Sequence, residues 1–425
     1  VVVDVRRLVA ASLSVATWVT GCADSSGSAD GRRPPQGAAS EVAASDLEDP
    51  QPLGVEPSAA SSLNAFDLHR ALSATDHGNT FYSPASVALV LAAIHDGAAG
   101  ETAEELAAAL HVSGESVTDV YGGLAGSLAG SSAAFRVHSA SRLWHIPTME
   151  ILPAYVDTLA KHHQADIAAV DWRTDKAQAE RQIGAWISEH TEGRVHQPLA
   201  NVLSSRTRAV FTNAVRFDAR WETAFGGVTD AQFHVTETEE IPVRMMWGTP
   251  AVSFVQSDDL TAVDIPYRGG FVSMLVLMPP LGQLPALEAS LTPARVTEIV
   301  DSMQRRTVHV SLPEFSIATE SLSLREALQS LGVTTAFSDN ADLTKMTRAG
   351  GLYVADVLHG AQVDVDKDGT RVAALTVAPI HARGRPRDSV KVDRPFVFLI
   401  RDRASGAIVF MGRMVGPVGP VGLAG

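Results

Sequence analysis

One cysteine, Cys22, is all that the 425-residue chain contains, so no disulfide can close within it. Positive charge is also in short supply: 34 lysines and arginines stand against 48 aspartates and glutamates, a formal net charge of −14. Without a basic face of the density that a phosphate backbone demands, nucleic acid is excluded as a partner, and the acidity serves solubility. Aromatic residues are only 6% of the chain while alanine, valine and glycine abound, which suits a compact mixture of helices and strands. After residue 19 no apolar run approaches the length needed to span a bilayer. Catalytic signatures are missing too: there is no G-x-S-x-G elbow, no H-E-x-x-H helix and no G-x-x-x-x-G-K-[ST] phosphate loop. His162 and His163 come nearest to a metal pair, but adjacent residues on a helix point in different directions. A solvated helix end is expected there, with no metal and no cofactor.

What is present begins with a leader-like terminus. Arg6-Arg7 precede the apolar run Leu8 to Val19, followed by the small residues Thr20-Gly21 and then Cys22. This is the layout of a secretory signal, and Val19-Thr20-Gly21-Cys22 resembles a bacterial lipobox, in which signal removal leaves the cysteine as an acylated amino terminus. Residues 1–21 are therefore expected to be a lipoprotein signal peptide. Residues 22–60, rich in Ser, Gly, Pro, Asp and Ala, are expected to be the lipidated cysteine and a flexible tether. That layout implies an extracytoplasmic protein held to a bacterial membrane or cell surface, with secretion as the alternative.

From Ser61 the pattern is that of a folded domain, and a hydrophobic content of 45% supplies its core. Leu63, Phe66, Leu68 and Leu72 are spaced for one side of a helix, and Asn79 to Ser86 starts a strand and then a helix. Further helices are expected at Val87 to His95, Glu101 to Leu110, Ile151 towards His163 and Gln178 to Thr191. The clearest strands are Thr261 to Tyr267, Phe271 to Met278, Val308 to Leu312, Gln362 to Val365 and Phe396 to Ile400.

One stretch lacks an obvious place. Gly369 can act as a hinge, and Thr370 to Ala378 are mostly small or β-branched, yet the run ends in the basic, Pro-containing segment Arg383-Gly384-Arg385-Pro386-Arg387. As a strand it would put Thr370, Val372, Ala374 and Thr376 on one face and Arg371 on the other. It reads as a loop able to become a strand.

This stretch resembles the hinge and reactive loop of the serpins, and the resemblance extends from Ser61 to Pro417. Asn79, Ser83-Pro84 and Ser86 look like the serpin shutter segment. Ile183 to Val195 is similar to the helix and turn ahead of a central strand, and Phe211 to Phe225, with Asn213 and Trp221, to the strand leading to the breach. Leu312 to Ile317, Leu331 to Val333 with Phe337-Ser338, and Val357 to His359 complete the match. By themselves Trp221 would be a core aromatic and His359 a histidine satisfied by a nearby hydroxyl or amide. The resemblance implies an α+β fold: a single domain over residues 61–417 with a large mixed central sheet, further sheets, about nine helices and an exposed reactive-centre loop. Residues 367–392 would be hinge and loop, and residues 418–425 a short tail. It also implies that short polar side chains at Asn79, Ser83 and Ser86 cross-link the middle of the main sheet, and that Asn213 and His359 hydrogen-bond across the strands that part.

The function implied is that of a monomeric suicide substrate rather than an enzyme. A target serine protease acylates itself on the loop, and the cleaved loop inserts into the main sheet before the ester is hydrolysed. Counting along the family's loop from Lys367 puts the scissile bond at Arg383–Gly384, which suits a trypsin-like specificity pocket. Arg385 is followed by Pro386, a poor scissile bond, and Arg387 would lengthen the inserting segment. The hinge residues would be Gly369, Thr370, Val372, Ala373, Ala374 and Thr376. Lys367, Val372, Leu375 and Pro379 depart from the inhibitory pattern, and Pro379 removes one ladder donor. The alternatives are a non-inhibitory serpin that is cut as a substrate or serves as a binding module and, further off, a hydrolase of another class. For the anchor, Cys22→Ser is expected to abolish membrane association and the acylated terminal peptide in mass spectrometry; a variant equally membrane-bound and equally processed contradicts the lipoprotein reading.

Overall fold

The structure is a computed structural model that describes residues 59–112, 116–129, 135–191, 203–205, 207–348, 350–370 and 388–416. The expected leader, Cys22, the loop residues Val372, Ala373, Ala374, Thr376, Arg383 and Gly384, and the tail lie outside the described residues, as does the expected tether except for Ala59 and Ala60, which begin the first helix. The chain opens with α1 (Ala59–Ser73), β1 (Thr80–Tyr82), α2 (Pro84–Asp96), α3 (Gly100–Ala109) and α4 (Val117–Ala129). It continues with β2 (Phe135–His145), α5 (Pro153–His162), β3 (Ala165–Ala169), α6 (Lys176–His190) and β4 (Ala209–Arg220). Strands β5 (Gly227–His234), β6 (Glu240–Gly248), β7 (Ala251–Gln256), β8 (Thr261–Pro266) and β9 (Val272–Met278) follow, then α7 (Leu284–Ser290) and α8 (Pro293–Ser302). Next come β10 (Gln304–Thr307), β11 (His309–Pro313), β12 (Phe315–Ser323) and α9 (Arg325–Ser330). The last strands are β13 (Leu358–Asp366), β14 (Gly369–Thr370), β15 (Ser389–Lys391), β16 (Phe396–Asp402) and β17 (Ile408–Met414).

Among the described residues these strands form three sheets. The largest by strand count, β1-β17-β16-β9-β8-β7-β10, is antiparallel throughout. The mixed sheet, β12-β13-β14-β4-β2-β3, has six strands, with β2–β3 and β13–β4 running parallel. A four-stranded sheet, β15-β11-β6-β5, completes the set.

Local chemistry explains where the elements start and which faces they bury. Ser83 is the N-cap of α2, its hydroxyl accepting the Ser86 N–H at 3.1 Å, and Pro84 occupies the first turn, where its missing donor costs nothing. Every residue from Pro84 to Ile94 is buried, so α2 is a core helix rather than a surface one. Strands β9, β16 and β17 are buried along their whole length, which is why they read as continuous apolar runs instead of alternating ones. The mixed and antiparallel sheets meet through aromatics: Phe217 of β4 lies 5.7 Å from Phe410 of β17, and Phe315 of β12 lies 5.4 Å from Phe398 of β16, ring centroid to centroid.

The expectation of a solvated helix end at His163 is corrected. His163 is buried, and its Nε2 lies 2.7 Å from Asp96 Oδ2. Burial opposes ionisation of Asp96, yet hydrogen bonds from His163, His95 and Thr118 outweigh it and hold the carboxyl well below the usual carboxylate range. Asp96 thus ties the C-terminal end of α2 to α4 and to the end of α5, a contact between distant residues that helical spacing alone does not reveal.

Candidate functional site: a fork in the mixed sheet

Strands β4 and β13 lie side by side as a parallel pair from Thr212–Leu358 to Arg216–Gln362. Beyond that couple they part, and β14 occupies the gap. Gly369 and Thr370 pair antiparallel with Arg220 and Ala219 on one side and with Asp366 and Val365 on the other. The first two hinge residues are therefore already a strand within the sheet. Carrying the closed ladder three places on from Arg216–Gln362 gives Ala219–Val365, the same two residues that flank Thr370. The stagger of β4 against β13 is thus identical on both sides of the fork. A strand entering between them needs about 4.8 Å of sideways separation and no sliding of either neighbour.

The top of the fork holds the hinge tightly. A Cβ on Gly369 would overlap the carbonyl oxygen of Ala219 and press on Arg220 Cα at 2.8 Å, so only glycine fits this close approach. Thr370 is fully buried, its hydroxyl 2.5 Å from the Tyr267 hydroxyl. Burial pushes the Tyr267 phenol well up, which keeps it protonated and able to share that bond. Trp221 stacks on Tyr267 with centroids 4.5 Å apart, and its Nε1–H donates to the Asp366 carbonyl at 2.9 Å. The Trp221 and Phe225 amides donate to the carbonyls of Asp368 and Lys367 at 3.1 and 2.9 Å. The Asp366 carboxylate accepts the Asp368 and Gly369 N–H groups at 2.8 and 3.1 Å, closing the turn that delivers the hinge into the gap. Burial, with the charges of Asp368 and Glu314, pushes the Asp366 carboxyl up.

Below the fork, Asn213 and His359 face each other in register, both buried, and strand alternation puts them on the same inner face as Thr370. The hydrogen bond that the resemblance implies between them is absent. Asn213 Nδ2 donates instead to Ser141 Oγ at 3.1 Å, and its Oδ1 accepts no hydrogen bond. His359 Nε2 accepts the Ser83 N–H at 3.0 Å, which puts the proton of the neutral ring on Nδ1, and Nδ1 has no partner. The competing amide of Ser83 and the β2 serines have drawn the two side chains to other partners. What remains is one unused acceptor and one unused donor on adjacent strands.

The other shutter residues serve different sheets. Asn79 accepts the Val415 N–H and donates to the Gly416 carbonyl, both at 2.7 Å, fastening the entry to β1 against the exit of β17. It does not cross-link the mixed sheet. Ser83 Oγ donates to the Val409 carbonyl of β17 at 2.8 Å and lies 3.0 Å from Ser86 Oγ, so among the described residues these two serines reach the mixed sheet through the Ser83 amide on His359. Tyr267 and the carboxylates Asp218 and Asp364, which flank the fork just below Thr370, were not singled out from the sequence. Their positions depend on pairing across long separations and leave no local signal.

With this geometry in hand, comparison with known proteins is direct. The family model for serpins (serine protease inhibitor) matches residues 59–417. A leukocyte elastase inhibitor from Bos taurus is 33% identical over 376 residues, covering 85% of this chain and 99% of its own. An uncharacterized serpin-like protein from Thermococcus kodakarensis is 31% identical and spans 86% of this chain and 87% of its own. Among solved structures, uncleaved ovalbumin matches with a TM-score of 0.75 at 27% identity, covering 85% of this chain and all of that one. Human thyroxine-binding globulin in complex with its ligand shares the fold, with a TM-score of 0.79 at 22% identity over 86% of this chain and 100% of its own. The chain belongs to the serpin family.

Burial pushes His359 down to about 4, so the native state keeps it neutral where an unfolded ring would protonate. Its contribution is complete above about pH 6.5 and is lost as the pH falls towards 4, on the order of 3 kcal/mol in all. Chemical unfolding at pH 7, 5.5 and 4.5 is expected to show a shallower loss in His359→Gln than in the parent. Equal losses would contradict a buried neutral imidazole.

Proposed function

We propose that this serpin is an irreversible, monomeric inhibitor of a trypsin-like serine protease, held outside the cytoplasm through lipidated Cys22. The protease's serine oxygen attacks the Arg383 carbonyl carbon, the Arg383–Gly384 amide breaks, and the Gly384 amine takes up a proton and departs. An ester then joins Arg383 to the protease. The freed strand enters between β4 and β13 before water cleaves the ester.

The observation that carries this reading is the hinge already seated in a fork of matched stagger. On this reading an inserted strand would continue that register along its inner face. Val372 falls between Phe217 and Val363, Ala374 between Val215 and Ala361, and Thr376 between Asn213 and His359. A threonine hydroxyl there can donate to the unused Asn213 Oδ1 and accept from the unused His359 Nδ1–H, supplying both missing bonds at once. Two departures from the inhibitory pattern also fit. Val372 meets apolar neighbours, and Leu375, on the outer face, falls beside the small residues Ala214 and Gly360. Pro379 falls opposite Asp356, beyond Leu358 where β13 begins, so its missing N–H lies outside the β13 ladder.

A second reading, a serpin that is cut without trapping its protease, is favoured by Pro379 itself, because the β4 side of the ladder extends to Ala209 and would lack that donor. One assay separates the two. Incubation with trypsin is expected to give a covalent complex that survives boiling in detergent and a released fragment beginning at Gly384. Arg383→Ala is expected to slow inhibition more than tenfold, equivalent to about 1.4 kcal/mol of transition-state stabilisation. Cleavage without complex supports the second reading, and a fragment beginning elsewhere contradicts the register.

A further inference from the structure

We propose that the outer face of the fork is an acidic slot for Arg371, and that its two carboxylates, Asp218 and Asp364, govern how readily the loop enters the sheet. This rests on the loop-insertion reading above. The couple one step below Ala219–Val365 is Asp218–Asp364, so these carboxylates flank the position that follows Thr370, on the face opposite its side chain. They stand at the point where β4 and β13 have ceased to pair, since the closed ladder ends at Arg216–Gln362.

Charge accounts for both the opening and its occupant. Like charges directly opposite on paired strands are destabilising, so closing the ladder up to Asp218–Asp364 would set two half-buried carboxylates against each other. Asp218 forms an ion pair with Arg216 on its own strand and is in register with Arg136 of β2. Asp364 accepts hydrogen bonds from Ser316 Oγ at 2.6 Å and from Gln362 Nε2 at 3.3 Å. Arg220 and Asp366 flank Gly369 on the same face one couple further up that face, so they too are among the charged groups that face the slot from β2, β4, β12 and β13. A strand bringing a cation to this position places it between two carboxylates, and the next residue of the chain after Thr370 is Arg371. Its guanidinium can reach a carboxylate on each side, with Ala373 the next side chain on that face and small enough to leave room beside Arg216. The hinge thus carries its own electrostatic key, matched to a lock at the fork.

The test uses loop cleavage and inhibition together, in the parent, Arg371→Glu, Asp364→Lys and the double variant Arg371→Glu/Asp364→Lys. Arg371→Glu gathers three carboxylates at the slot. It is expected to raise the number of inhibitor molecules consumed per trypsin roughly threefold or more, and to shrink the rise in thermal midpoint that follows loop cleavage. The rate of cleavage at Arg383 should be unchanged, because acylation precedes insertion. Restoration of both quantities in the double variant, with Asp364→Lys alone also impaired, supports the slot. Parent-like behaviour of Arg371→Glu, or no recovery in the double variant, overturns the slot while leaving the parent's inhibition intact. A parent that forms no complex and gains no thermal stability on cleavage would overturn the slot and the loop-insertion reading together.

Discussion

Everything distinctive about this molecule depends on one pair of strands that is only partly closed. β4 and β13 share a parallel ladder over five residue couples, and above it they hold a two-residue strand between them without changing stagger. Completing the insertion would replace that parallel ladder with antiparallel ladders on both sides, the slightly more stable arrangement per residue. The sheet is therefore closed in a way that leaves a better pairing unmade. With the stagger already matched, the proposed insertion needs only a lateral opening.

Two clusters of opposite character lie above and below the fork. At the top, Trp221, Tyr267 and the Asp366 turn grip Gly369 and Thr370, with the carbonyls of Asp366, Lys367 and Asp368 and the N–H groups of Asp368 and Gly369 each satisfied by a named partner. Lower down, Asn213 and His359 each carry a buried polar atom with no partner, and an unmade buried hydrogen bond costs about 1–3 kcal/mol. On the proposed insertion, a network satisfied above and unsatisfied below favours taking in more strand. It also explains why a neutral, deeply buried histidine sits under the strands that part: a charged ring there would oppose the closed form.

Much of this was legible in the sequence, and the reason it was legible differs from residue to residue. Helices α1, α2, α3, α5 and α6 were read from apolar spacing and caps, and β8, β9 and β16 from apolar runs bounded by turns. α4, rich in glycine, and the edge strands β5 and β10 have too little periodic contrast to be recognised this way. The hinge stood out because small and β-branched residues ended in a basic, proline-containing stretch. His359 is satisfied by a nearby amide, as its residue type alone suggests, but the Asn213–His359 pairing and the Asn79 cross-link were misjudged, because a resemblance conveys which residues matter whereas hydrogen bonds are decided by competing donors such as the Ser83 amide. Tyr267, Asp218 and Asp364 are ordinary strand residues until the register sets them around the hinge.

The most direct test of the central claim is a crystal structure of the protein cleaved between Arg383 and Gly384. The account requires a continuous strand between β4 and β13 with Thr376 flanked by Asn213 and His359, its hydroxyl within hydrogen-bonding distance of Asn213 Oδ1 and His359 Nδ1. A cleaved protein in which the ladder from Thr212–Leu358 to Arg216–Gln362 is still intact would contradict it.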